Sequence, residues 1–106
     1  MSRLLLFGVN EAETAKDMVL KFSVLESNFY TTAGDTNDLR RRKHFGRGKQ
    51  IAMACVDELS SFAHSHNKYL WGSENNHDFE YWVRVKKIMN NMEFEPLLAE
   101  LKVLIP

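Results

Sequence analysis

The sequence predicts a mainly α fold: a small single-domain bundle, residues 1–106, of about four amphipathic helices with a short apolar N-terminal arm. Three observations carry that expectation. Proline is confined to Pro96 and Pro106, so little in the chain interrupts a helix. The apolar fraction is 44%, with seven Phe, three Tyr and two Trp, which places the chain among packed globular proteins and away from disorder. Apolar residues also recur at helical spacing in four separate stretches. A chain of 106 residues buries one core without disulfide or metal staples.

The first helix is signalled by Asn10 as N-cap with Glu13 three residues on, the pattern of a capping box. Ala15, Met18, Val19, Phe22, Leu25, Glu26 and Phe29 then follow helical spacing, and TTAGDTND supplies turn chemistry after Phe29. A second helix is expected from about Gly48 to His66, with Ile51, Ala52, Cys55, Leu59, Phe62 and Ala63 on its apolar stripe. The third opens after SENNH, with Asn75 or Asn76 as cap and Asp78 and Glu80 complementing the helix dipole, and runs through Trp82, Val83, Met89 and Met92. The fourth has Pro96 in its first turn and a stripe of Leu97, Leu98, Leu101, Leu104 and Ile105.

The N-terminal RLLLFGV reads equally well as a short buried strand beside the terminal KVLIP. A strand without a sheet is unstable, so it is expected as an arm that packs on the bundle or is shared across a homodimer. Its apolar run is too short for a secretory signal or a membrane span. Cys55 is the single cysteine and falls in an apolar stretch, which reads as a buried structural thiol in a reducing compartment. Both features predict a cytoplasmic protein with no membrane partner.

Charge is distributed in blocks. Residues 1–38 carry three basic and six acidic side chains, residues 39–50 carry six basic and none acidic, and residues 51–106 carry five basic and eight acidic. The formal net charge of zero therefore conceals a dense positive segment, and local field rather than net charge governs encounter with a partner. With the second helix starting near Gly48, Arg47 and Lys49 stand at a helix N-terminus, where the dipole disfavours cations. An anion would relieve that repulsion, since Gly46 and Gly48 admit close backbone approach and arginine grips phosphate oxygens in pairs.

The expected site is accordingly Arg40, Arg41, Arg42, Lys43, Phe45, Arg47 and Lys49, with Phe45 as a base-stacking ring and nucleic-acid phosphates, DNA or RNA, as the ligand. The segment lacks the first glycine, the Ser or Thr and the preceding strand of a nucleotide-binding loop. An alternative backbone has Asp35 or Asp38 capping one helix that runs through the basic residues, at a cost of about 2 kcal/mol for two interior glycines.

Other constellations are weaker. His64 and His66 lie two residues apart, about 200° around a helix, and no second cysteine supports zinc, so no metal site is expected. An HNH-type nuclease needs a hairpin that the stretch between His66 and His77 does not encode. No nucleophile–base pair, carboxylate pair or cofactor loop is present, so neither catalysis nor a cofactor is expected. The second functional expectation is a helical protein-interaction factor, such as an inhibitor, immunity-type or adaptor protein. It would bind an acidic protein surface through the basic segment and the aromatics around 69–82, with Tyr69 and Trp71 at the interface.

Overall fold

The computed structural model describes residues 10–29, 37–71 and 77–106, without the side chains of 63–71, 77 and 78. Helix α1 spans Glu11–Phe29, α2 Asn37–Trp71, α3 His77–Asn90 and α4 Leu98–Leu104, the last entered through a 3₁₀ turn at Glu95–Leu97. The described residues form a mainly α bundle with no strand. The arm at residues 1–9, the turn at 30–36 and the caps at Asn75 and Asn76 lie outside them. No described helix is long and apolar enough to cross a membrane.

Helix α1 starts where its cap dictates: the Glu13 backbone N–H donates to Asn10 Oδ1 at 2.9 Å. It buries Ala15, Met18, Val19 and Leu20, while Leu25 and Phe29 of the expected stripe are exposed. A buried hydroxyl pair, Thr14 Oγ1 and Tyr81 Oη at 2.6 Å, joins it to α3. Tyr81, Trp82, Val85 and Met89 of α3 and Phe94, Leu97, Leu101 and Ile105 beyond it complete a core continuous with Phe45, Ala52 and Val56 of α2. Complete burial of side chains such as Met89 and Leu101 stabilises the fold by about 1.5–3 kcal/mol each. Pro96 occupies the 3₁₀ turn, where its missing N–H and fixed φ are tolerated.

Helix α2 departs most from expectation. It begins at Asn37, eleven residues before the expected start at Gly48, and its 35 residues, at about 1.5 Å each, match the molecule's 53 Å long axis. The basic segment is thus helix and not loop. Its core stripe is Arg41, His44, Phe45, Gly48, Ala52 and Val56, displaced from the expected one, so that Ile51 and Phe62 are exposed. Gly48 explains why an interior glycine is tolerated: a Cβ there would stand 2.5 Å from Ser23 N and Oγ and 2.7 Å from Ser23 Cα. The two backbones therefore cross at a distance only glycine permits. Gly46 has no such role, since nothing lies within 4 Å of a Cβ placed on it.

Candidate functional site

Once the segment is helical, its six basic side chains no longer form one patch. At about 100° per residue, Arg40 and Arg47 fall on one flank of the core stripe, Arg42 and Lys49 fall within about 20° of each other on the opposite flank, and Lys43 lies nearly opposite the stripe. Arg41 lies on the stripe itself and is 7% exposed. Long side chains rooted at the edges of a buried stripe reach across to whatever packs on it, and these do so on both sides.

Arg40 Nη2 donates to the Pro106 carbonyl at 2.8 Å. Arg41 Nε donates to the Ile105 carbonyl at 2.6 Å, and its Nη1 pairs with Asp38 at 2.8 Å. Arg42 pairs with Glu95 at 2.6 Å and stacks over Phe94, 4.6 Å from the ring centroid. Arg47 Nη1 lies 3.4 Å from Oε1 of the buried Glu26. Lys49 Nζ donates to the Asn90 and Met92 carbonyls, both at 3.0 Å, and so satisfies acceptors left over at the C-terminus of α3. Lys43 is exposed.

Two parts of the expected phosphate site are therefore corrected. The helix N-terminus was to lie at Gly48; it lies at Asn37, and the N–H groups of residues 46–49 are inside the helix. Phe45 was to offer a stacking ring; it is 6% exposed and packs edge-on against Phe94 with centroids 5.9 Å apart, because its position points at the core. Tyr81 and Trp82, within the expected aromatic surface, are core residues in edge-to-face contact at 5.1 Å. Tyr69 and Trp71 close α2, and their side chains lie outside the described residues, as do those of His64 and His66. Among the described residues no three His, Cys, Asp or Glu side chains gather as metal ligands.

Two of the concave features bear on the predicted site or on an interface. The larger is an open trough of about 750 Å³ between α2 and α3. Met53, Asp57, Ser60 and Ser61 line one wall and Phe79, Val83, Lys86, Lys87 and Asn90 the other. Each wall follows the i, i+4, i+7, i+8 spacing of one helix face, so the trough runs along both helices. Met53, Phe79 and Val83 form its apolar part, Val83 being 46% exposed, and the Lys86–Asp57 ion pair at 2.6 Å stands among its polar residues. The sequence missed this feature because Met53 and Val83 look like core residues in a periodicity count.

The smaller is a half-open cleft of about 220 Å³ where the end of α1, the start of α2 and the last residues meet. His44, 1% exposed, lines it with Arg40, and both His44 Nδ1 and Arg40 Nε are buried without a hydrogen-bond partner. Such an orphaned polar atom costs about 1–3 kcal/mol. Burial holds the His44 imidazole below its ordinary pKa; Glu26 opposes the shift, while Arg47 and Arg40 add to it.

Comparison with protein-family models, with curated proteins and with solved structures returned no match for this chain.

Proposed function

We propose that this chain is a non-catalytic, cytoplasmic protein-interaction factor that receives an amphipathic helix of a partner protein in the α2/α3 trough. One observation supports this reading over nucleic-acid binding through residues 40–49. Arg40, Arg41, Arg42, Arg47 and Lys49 each donate to a carbonyl or carboxylate of the chain itself. A phosphate backbone would have to displace those partners before its counterion release could drive binding. The trough needs no such exchange. Its apolar residues, Phe79 and Val83 one turn apart on α3 with Met53 facing them from α2, suit the apolar face of an incoming helix with anchors at i, i+4 and i+7. Lys87 on its wall favours a partner segment with acidic flanks, which retains the acidic-protein expectation and moves it from the basic segment to α3.

The test uses a displayed library of amphipathic helical peptides, selected against the wild-type chain and then measured against Val83→Glu. Enriched peptides should carry apolar anchors at i, i+4 and i+7 and lose at least about tenfold in affinity on the variant, the scale of one interface residue. Failure to enrich, or peptides indifferent to Val83→Glu, refutes the reading. In parallel, single-stranded RNA, single-stranded DNA and duplex are titrated at low salt. Binding tighter than about 100 μM with a steep salt slope would restore the nucleic-acid interpretation.

A further inference from the structure

Helices α1 and α4 share an apolar surface that has no residue in common with the trough. Leu20, Val24 and Leu25 of α1 and Leu104 of α4 line a shallow hollow edged by Asp17 and Lys21. Leu104 also lines a second hollow with Ala99, Glu100 and Val103, so the surface runs unbroken from one helix to the other. Leu25, Leu104 and Val103 are 42%, 45% and 80% exposed. Apolar side chains scattered singly on a surface are ordinary; a contiguous group rimmed by charge marks an interaction face.

Shape and charge together point to the occupant. Val103 is the most exposed large apolar side chain among the described residues, a knob standing beside a hollow of its own molecule. A surface that carries knob and hollow side by side fits a second copy of itself turned about a two-fold axis. The rims match in the same way. Val103 has the exposed Lys102 on one side of α4 and the half-exposed Glu100 on the other, while the exposed Asp17 and Lys21 stand one turn apart at the hollow. Knob and hollow each offer one cation and one anion, an arrangement with no preference for an acidic or a basic stranger and full complementarity to itself. Their spacing is held by the fully buried Leu101 and by the Lys16–Glu100 ion pair at 2.6 Å, which ties α4 to α1. A formal net charge of zero also removes the repulsion that keeps strongly charged copies apart.

We propose that the α1/α4 face is the contact of a two-fold symmetric homodimer, in which Val103 of each copy enters the hollow between α1 and Leu104 of the other. Lys102 then meets the partner's Asp17, and Glu100 the partner's Lys21, twice per dimer. The face is small, so the association is weak, with a Kd on the order of 10–100 μM. No trough residue takes part, so dimerisation and capture of a helical peptide are independent of each other.

Sedimentation equilibrium of the full chain, from about 5 μM to about 1 mM, measures the association. The expected result is a reversible monomer–dimer equilibrium that Val103→Asp weakens by at least about tenfold and that Val83→Glu, in the trough, leaves unchanged. Asp17→Lys and Lys102→Asp each set like charges face to face at both ends of the two-fold contact, and each should weaken the dimer by about fivefold. The two changes together should restore it. All three positions are exposed, and circular dichroism checks that each variant is folded. A wild-type chain that stays monomeric at about 1 mM overturns the proposal and leaves the face to residues 1–9 or to another protein. A dimer indifferent to Val103→Asp overturns it too, by placing the contact on another surface, as do charge reversals that singly change nothing or together fail to recover the loss.

Discussion

Gly46 and Gly48 stand two residues apart in one helix, and alanine at each should have effects of opposite sign. In an unobstructed helix interior Gly→Ala stabilises by about 0.5–1 kcal/mol, since alanine loses less backbone entropy on folding. Gly46 meets that condition, with open space around its added methyl. At Gly48 the methyl would lie 2.5 Å from Ser23 N and 2.7 Å from Ser23 Cα, and backbone cannot rotate aside as a side chain would. Relief requires α1 and α2 to separate, which loosens the packing of Val19 and Ala52 around the crossing. Overpacking of this kind costs about 1–3 kcal/mol, more than the propensity gain. Gly48→Ala should therefore lower stability by about 1–2 kcal/mol, a fall of roughly 5–10 °C in Tm for a domain of this size. Gly46→Ala should raise it by a few degrees. Urea unfolding followed by circular dichroism at 222 nm measures both. If Gly48→Ala stabilises as much as Gly46→Ala, the close crossing is wrong, and with it the argument for why α2 runs unbroken through the basic segment.

Lys49→Met keeps the aliphatic stem and removes the ammonium that caps the Asn90 and Met92 carbonyls. It should cost about 1 kcal/mol in the same unfolding assay and increase amide exchange at the end of α3 more than elsewhere. Acidification should act through His44. Its folded pKa lies below the ordinary value of 6.5, so the unfolded chain takes up a proton first, and this contribution to stability is present above about pH 6.5 and lost as pH falls toward the folded value. Glu26 from α1 and Arg40 and Arg47 from α2 influence the ring, and no titratable side chain of α4 enters. Stability measured from pH 7.5 to 5.5 should fall in wild type and fall less in His44→Gln; parallel profiles would show that the imidazole is not held neutral.

The helix count and part of the core of α1, α3 and α4 were legible because they rest on local signals, although Leu25, Phe29, Val83 and Leu104 of the expected stripes are exposed. Asn10 caps as its sequence context implies, and Met18, Val19, Met89 and Leu101 are buried as their spacing implies. Helix α2 was misjudged for a reason equally physical. Two glycines and six cations read as a breaker, and each counts against helix when weighed alone. What outweighs them is tertiary: glycine at 48 is required by Ser23, and Arg41 at a core position is satisfied by Ile105 O, 64 residues away. No window along the chain contains that information. The alternative of a continuous helix from the Asp35–Asp38 region had the right backbone, and Asp38 does meet Arg41. The trough escaped notice because spacing says which residues share a helix face and not whether a third helix covers it.

The blockwise charge of the chain gains a different meaning from these contacts. A segment of plus six flanked by two of minus three invites the inference of an external anion, yet those blocks are complementary to one another within the fold. Glu26 from the first block meets Arg47, and Glu95 from the third meets Arg42, while the Asn90, Met92, Ile105 and Pro106 carbonyls take much of the rest. Exposed ion pairs contribute little singly, about 0–1 kcal/mol. Their effect here lies in placement: Arg40 and Arg41 reach residues 105 and 106, Arg42 reaches Glu95, Arg47 reaches α1 and Lys49 the end of α3, so the helix register fixes where the chain after α3 crosses its base. A positive cluster at a helix start is tolerated when carbonyls and carboxylates of the same molecule converge on it.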